Sequence, residues 1–496
     1  MELFRKKSVE QTLAETGEEG RSLKRTLTTW DLAIMAVAVA VGAGIFSVGA
    51  QAAAFHAGPA VIISFVIAGI VCAAAVMCYA EFASMIPVSG SAYTFTYNTI
   101  GELVAWIIGW DLILEMLMAA SVISKYWGVY LNDFIHLMGG TSFSSSFHLG
   151  GLDVDLAPLA VVTLFTVLLV LGTKLSARFD GALTVLKIGI VVFVIVVGFF
   201  YVKLDNYRPF IPPSEPASAV PGASVPGIMG QPLWQWVSGM QPTIYGIPGI
   251  LSGAALVFFA FVGFDIVATT SEEAKEPHKT IPRGIGLGML IVITLYILVA
   301  IVTTGMVSYK DLAKAKNPSL ATGFEMVGAP WAAKIISFGI VVGLTRIVFA
   351  MSRDGLLPRA LSRTGRHGTP ARIQILGGIV VAVVASCFPI DVLSDMVNIG
   401  TLSAFLLVAI SLPIMRKRRP DLPRSFKMPG NPWVPILIAL ACLWLMLNLT
   451  VLTWIRFVVW LAAGLAIYFG YSYRHSLLGR HQLSGKISEA TQAGLD

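Results

Sequence analysis

The strongest constraint on this chain is a pair of glycine-containing interruptions inside long apolar runs. The first is Val41-Gly42-Ala43-Gly44-Ile45-Phe46, within the apolar run 30–54. The second is Phe259-Ala260-Phe261-Val262-Gly263-Phe264-Asp265, within the run that begins near Ile250. Apolar runs of about 20 residues are long enough to span a bilayer as helices. Lipid offers no hydrogen-bond partner, so a helix unwinds at membrane depth only where protein or a wet cavity surrounds it. Glycine used for close helix packing explains either interruption alone. Two of them, one opening each half of the chain, point instead to a binding site near the bilayer midplane.

Composition agrees. The 496 residues are 56% hydrophobic and 13% charged, against about 25% charged in soluble domains. The chain is expected to be an all-α polytopic membrane protein. Its net charge of +7 forms no basic stripe interleaved with aromatics, so nucleic acid is not a partner; the lipid bilayer is. Cys72, Cys78, Cys387 and Cys442 lie in or beside apolar runs and form no CxxC pair, which suits packed free thiols. The seven histidines show no ligand spacing, so no metal is expected. There is no HExxH and no nucleophile motif, which argues against an enzyme. An ion channel would need a charged ring or a carbonyl filter. Two breaks in one chain fit alternating access better.

Residues 1–29 form a polar tail with Arg5, Lys6, Lys7, Arg21, Lys24 and Arg25, and without the apolar core of a cleavable signal. Leu3, Phe4, Val9 and Leu13 would let part of it lie on the membrane surface; a disordered tail is the alternative. The runs then predict spans at about 30–54, 60–82, 101–131, 156–171 and 182–201, a first group of five within residues 30–201. A Pro/Gly-rich loop, 202–249, carries Trp234 and Trp236 as expected interfacial anchors. Further spans follow at about 250–270, 285–307, 331–350, 373–388 and 392–415, a second group within 250–415. Two more, 433–450 and 452–473, lie in residues 416–473, and 474–496 form a C-terminal tail. Twelve spans put both ends on one side. Lys and Arg cluster in the tails and alternate loops, while the other loops carry only Lys203, Arg208, Lys310, Lys314 and Lys316. The bias places both termini in the cytoplasm.

Three charged residues fall inside spans. Asp111 and Glu115 are four apart and share a helix face. Charge at this depth faces a cavity or a partner, and a structural carboxylate bonded to a neighbouring helix is the competing reading. Lys187 lies in span five, a few residues past Arg178. Either it sits at the interface, or it is buried and becomes a candidate proton carrier.

Several segments together carry a family resemblance. They are Gly42-Ala43-Gly44-Ile45-Phe46, Tyr79-Ala80-Glu81-Phe82, Pro87-Val88-Ser89-Gly90-Ser91-Ala92-Tyr93 and Gly109-Trp110-Asp111-Leu112-Ile113-Leu114-Glu115. Phe258 to Asp265 with Glu272-Glu273, Pro277, Ile281-Pro282, Gly284-Ile285, Ser352-Arg353-Asp354-Gly355-Leu356-Leu357-Pro358 and Asn398-Ile399-Gly400-Thr401-Leu402 complete the set. In order and spacing the chain resembles transporters of the amino acid–polyamine–organocation (APC) superfamily, and within it the bacterial relatives of cationic amino acid transporters. The resemblance implies a LeuT-like fold of five plus five inverted spans with two C-terminal helices. It implies a proton-coupled importer of L-amino acids, cationic or small neutral, in the bacterial cell membrane. An amino acid or polyamine exchanger of the same fold is the alternative.

The resemblance also assigns roles. Amides near Ala43, Gly44 and Ile45 would meet the substrate carboxylate. Carbonyls of Val41, Phe259, Ala260 and Val262 would accept from its ammonium, and Phe259 would gate the pocket. Glu115 and Ala119 would border it. Lys187 would stand where sodium-coupled cousins hold a sodium ion, so protons rather than sodium are the expected coupling ion and no other cofactor is expected. A small accessory membrane helix is a conceivable partner. One departure stands out: related chains carry about ten more residues between Gly339 and Arg346, worth ~15 Å of helix. The apolar stretch 332–345 falls below the ~20 residues of a span, and no site residue is assigned to span eight.

Overall fold

The computed structural model describes residues 5, 6, 9, 26–86, 91–140, 146–149, 152–170, 177–219, 227–264, 267, 274–315, 317–353, 371–424 and 426–473. Helix α1, Thr29–Ala40, starts at a capping box. The Thr28 hydroxyl accepts from Asp31 N and the Asp31 carboxylate accepts from Thr28 N at 2.8 Å, a device worth about 1 kcal/mol. After the first break the chain resumes as a distal segment: a π-turn Gly44–Val48, an α-turn Gly49–Ala52 and a second π-turn Ala53–Ala57. Helix α2, Val61–Met85, returns. A short helix α3, Ser91–Thr99, precedes the long α4, Glu102–Leu137. The sequence suggested one span with a polar start here. Gly101, at φ 138°, separates two helices instead, a conformation that a side chain would disfavour.

Between α4 and α5, Leu156–Val170, a small hairpin pairs β1, Ser146–Leu149, with β2, Leu152–Asp155; the sequence had suggested only a polar loop. Helix α6, Ala177–Phe199, leads into the long loop. That loop does not use Trp234 as a lipid anchor. Trp234 Nε1 donates to Asn448 Oδ1 at 2.8 Å, and the loop backbone pairs with the turn near residue 450 through Leu233 N to Leu449 O and Val451 N to Gln231 O, each 3.0 Å. Docking satisfies main-chain groups that would otherwise be orphaned. Trp236 stays exposed.

The second half contains α7, Gly246–Val257; α8, Pro277–Met306; α9, Leu320–Met326; and α10, Pro330–Arg353. It continues with α11, Ala371–Cys387; α12, Ile390–Arg418; α13, Trp433–Leu447; and α14, Val451–Ile467. Helix α10 does not stop where its apolar stretch ends at Thr345. It runs for 24 residues, or ~36 Å, enough to cross a bilayer. Among the described residues, five stretches are long and apolar enough to cross by themselves: Gly44–Met85, Glu102–Leu137, Lys279–Met306, Ile390–Arg418 and Val451–Ser472. Shorter apolar helices stand between them. The architecture is that of an all-α polytopic membrane protein.

One continuous core joins Phe46, Phe65, Phe261, Tyr296 and Phe405. Helix α8 packs along α1 and α2, and α12 along α4. Helix α14 docks on α4 through a tryptophan stack. Trp110 and Trp460 lie 4.5 Å apart, Trp110 Nε1 donates to Trp460 O at 2.8 Å, and Trp106 Nε1 donates to Gly464 O at 3.0 Å. At the face where α1 begins, Glu81 is fully buried. Its carboxylate accepts from Arg416 Nε and Met428 N, each at 2.7 Å, and from Arg416 Nη2. The N-terminal tail is not merely surface-bound. Val9 is 3% exposed within the core, and Arg5 pairs with Glu102 at 3.2 Å while covering the Tyr473 ring at 4.4 Å. Leu3, Phe4 and Leu13 lie outside the described residues.

Candidate functional site: two broken helices that touch

Both interruptions are real and both are buried. Helix α1 closes when Val41 N donates to Val37 O at 2.9 Å; Val41 then turns extended, at φ −71° and ψ 94°. Helix α7 tightens into a 3₁₀ turn, Phe258–Phe261. Val262 follows at φ −64° and ψ 140°, and Gly263 at φ 104°. The two breaks meet at Gly44 and Ala260. A Cβ on Gly44 would lie 2.8 Å from Ala260 Cβ and 3.0 Å from Ala260 N, and would strike Ala260 Cα. Glycine is required there by close approach of two backbones. The structure therefore brings Val41, Ala43, Gly44 and Ile45 together with Phe259, Ala260 and Val262.

An interrupted helix leaves up to four carbonyls at its C-terminal end and four amides at its N-terminal end without intrahelical partners. The carbonyl ends carry negative partial charge and the amide ends positive. Side chains meet several of these carbonyls. Lys187 Nζ, 1% exposed, donates to Ala38 O at 2.6 Å. Lys187 is thus buried against α1, not at an interface. The Tyr296 hydroxyl lies 2.6 Å from Ala40 O and 2.8 Å from Ala260 O. It owns one proton, so it donates to one carbonyl at a time. Tyr130 donates to Phe46 O at 2.7 Å. Asn398 Nδ2 donates to Ala255 O at 3.0 Å, near the end of α7. The amides that open the distal segment, at Ala43, Gly44 and Ile45, form the complementary anion-favouring end.

Helix α4 contributes differently. Asp111, Glu115 and Ala119 are all buried. The Asp111 carboxylate accepts from the Ser403 hydroxyl of α12, so the neighbouring-helix reading of Asp111 holds. The Glu115 side chain begins beside Gly400 of α12. The printed hydrogen bonds from α4 to the first break come from further along the helix. Tyr130 reaches Phe46 and Ser47, and Tyr126 reaches Gln51; Ala119 lies about three turns before Tyr130.

Tyr296, Tyr130 and Asn398 received no role from the sequence. Tyr296 carried a usable signal: a tyrosine in mid-span, away from the interfacial belts where it is usual, needs a partner for its hydroxyl. Asn398 stood in a recognised segment but without a function. Tyr130 looked like a residue at a helix end. Asp265, Glu272, Glu273, Pro87 to Gly90 and the segment from Asp354 to Pro358 lie outside the described residues.

Comparison with known proteins agrees with this geometry. A family model described as amino acid permease matches residues 27–468. The chain is 41% identical to the branched-chain amino acid permease BcaP of Bacillus subtilis, over 96% of this chain and 99% of that protein. It is 38% identical to the methylthioribose transporter of the same organism, with the same coverage of 96% and 99%. It is 34% identical to cationic amino acid transporter 2, vacuolar, of Arabidopsis thaliana, over 84% of this chain and 64% of that protein. The broken, touching helices and this similarity along nearly the whole chain lead to one conclusion: the chain belongs to the amino acid permease family of the APC superfamily, and it is a transporter rather than an enzyme.

Proposed function

We propose that this protein imports L-amino acids across the bacterial cell membrane by proton-coupled alternating access. The observation that carries the reading is the contact of Gly44 with Ala260, where two interrupted helices present main-chain dipoles to one small space. A zwitterion needs an anion-favouring end and a cation-favouring end, and two breaks supply both from backbone. In this reading the amides of Ala43, Gly44 and Ile45 hold the carboxylate. Carbonyls of Val41, Phe259, Ala260 and Val262 accept from the ammonium, the Phe259 ring covers the substrate, and Glu115 and Ala119 border its side chain.

Lys187 is the proposed proton carrier. Its burial against Ala38 O supports the role, because loss of its proton would weaken a contact two residues before Val41 closes α1. No sodium is required in this scheme. Twelve spans, a five-plus-five inverted repeat, two C-terminal helices and cytoplasmic termini belong to the same proposal, on the cation bias and the family resemblance. So does a small accessory membrane helix, on the resemblance alone.

The relatives' names span branched-chain amino acids, methylthioribose and cationic amino acids. A neutral or a cationic amino acid is the proposed cargo. The test is uptake of labelled leucine and labelled arginine into proteoliposomes under an imposed pH gradient, with unlabelled amino acids and methylthioribose as competitors. Saturable uptake stimulated by inward protons is expected. Uptake indifferent to the gradient but dependent on internal amino acid would establish exchange instead. Ohmic, non-saturating current would replace the transporter by a channel.

A further inference from the structure

The distal segment 44–57 and α7 are joined to each other in a different way from how they are joined to the rest of the bundle. Between them the ties involve backbone. Tyr245 N donates to His56 O at 2.8 Å, and the Tyr245 hydroxyl donates to Ala54 O at 2.7 Å. Tyr245 holds φ 59° to do so, a conformation that costs a non-glycine residue about 1–3 kcal/mol and persists only where the surroundings enforce it. Gly249 passes so close to His56 O that a Cβ would collide with it. His56 Nδ1 lies 3.0 Å from Ser252 Oγ, and Ser64 at the start of α2 donates to Ile250 O at 2.8 Å. These elements make one body, bounded at the breaks by Val41-Gly42 and Val262-Gly263.

Toward α4 and α12, the printed hydrogen bonds of this body are side-chain bonds. The Tyr130 hydroxyl donates to Phe46 O at 2.7 Å and accepts from Ser47 Oγ at 3.1 Å; Tyr126 donates to Gln51 Oε1 at 3.2 Å. Tyr126 and Tyr130 are one turn apart on α4, and Phe46, Ser47 and Gln51 are about one turn apart on the distal segment. The two tyrosines form rungs of a ladder whose first upright rests on the π-turn Gly44–Val48. Such turns recur at functional sites.

We infer that Tyr130, assisted by Tyr126, is a latch that holds the distal segment and α7 shut over the break contact, and that its release opens the site toward the face away from the start of α1. Tyr130 is a positioning residue: it acts on the backbone that borders the site. The inference rests on the alternating-access reading above, and it adds the residues that govern one of the two openings.

The test uses Tyr130→Phe, which removes only the hydroxyl, and Tyr126→Phe, in the full-length protein in nanodiscs. Ile123 is 6% exposed and shares the face of α4 that carries Tyr126 and Tyr130. In a background without the four native cysteines, Ile123→Cys reports opening through its rate of maleimide labelling. Losing the bonds to Phe46 and Ser47 is expected to speed labelling about tenfold in Tyr130→Phe, with a smaller rise in Tyr126→Phe. In uptake the expected signature of Tyr130→Phe is a lower KM with a lower maximal rate, because the open form is more populated but closes less readily. Labelling of the reporter within twofold of the unsubstituted latch, in folded protein, overturns the inference. So does equal acceleration at a retained Cys442, fully buried in α13, since that reports general loosening. If Tyr130→Phe does not fold, Tyr126→Phe decides by the same criteria. Labelling needs no substrate, so a wild-type protein that takes up no amino acid would defeat the transport reading while leaving the latch to be judged separately.

Discussion

Gly44→Ala tests the contact on which the site depends. The added methyl carbon would sit 2.8 Å from Ala260 Cβ and 3.0 Å from Ala260 N, and against Ala260 Cα. Carbon atoms settle at about 3.5–4.0 Å, so the two breaks must separate by roughly 0.7 Å or more. Neither neighbour can give way as a flexible side chain would, because the atoms met are backbone and a Cβ. Overpacking of this kind costs about 1–3 kcal/mol, which corresponds to roughly 5- to 150-fold in an equilibrium. The same displacement lengthens the bonds that Tyr296 makes to Ala40 O and Ala260 O, now 2.6 and 2.8 Å. A shift near 1 Å at positioned groups costs up to about a hundredfold in rate. The assay is saturable amino acid uptake into proteoliposomes, with thermal unfolding in detergent to establish that the protein is folded. Gly189→Ala in α6 is the control, since a Cβ there meets nothing within 4 Å. Uptake efficiency is expected to fall by about one to two orders of magnitude in Gly44→Ala alone. A folded Gly44→Ala protein with uptake kinetics within twofold of the control would refute the claim that the breaks must touch.

Lys187→Ala is expected to lower uptake about tenfold or more, the cost of removing a charged donor from the buried Ala38 carbonyl, and to abolish its response to a pH gradient; a retained response would remove Lys187 from proton coupling. Phe259→Ala should raise the rate of substrate release from the occluded protein, measured with labelled amino acid, and unchanged affinity and turnover would make the ring a packing residue only. Glu81→Gln takes the countercharge from Arg416 and Arg424, whose side chains are 18% and 7% exposed, and should cost about 3–5 kcal/mol of stability, seen as a lower melting temperature; an unchanged melting temperature would show that the cluster is not tightly paired. Gly464→Val drives a side chain into the Trp110 ring, 2.6 Å from Nε1 at the Cβ alone, and should lower the melting temperature and shift tryptophan emission as α14 lifts from α4, whereas native emission would mean the stack accommodates it.

The site was legible to different depths. The break at 41–46 and the break at 259–265 could be read because unwinding at membrane depth leaves a local mark, glycine within an apolar run. Lys187 could be singled out because a cation in a span is rare, although the sequence left open whether it was interfacial or buried. Burial against Ala38 O, 149 residues away, decides that. Tyr296 could not be given its role in the same way. Its hydroxyl serves carbonyls 256 and 36 residues distant, and an apolar run with one tyrosine reads equally well as plain packing.

By itself the sequence determined what short-range physics determines: apolar runs long enough to leave water, interruptions that lipid would not tolerate, and a cation bias between spans. Helix geometry and hydration act over a few residues, so their imprint is local. Only the tertiary structure decided which interruptions touch, that Trp234 grips Asn448 rather than lipid, that Glu81 is buried between Arg416 and Met428, and that α10 continues past its apolar stretch. Those outcomes depend on which backbone group, hundreds of residues away, is left without a partner when the helices close. That account can be completed only once all of them are in place.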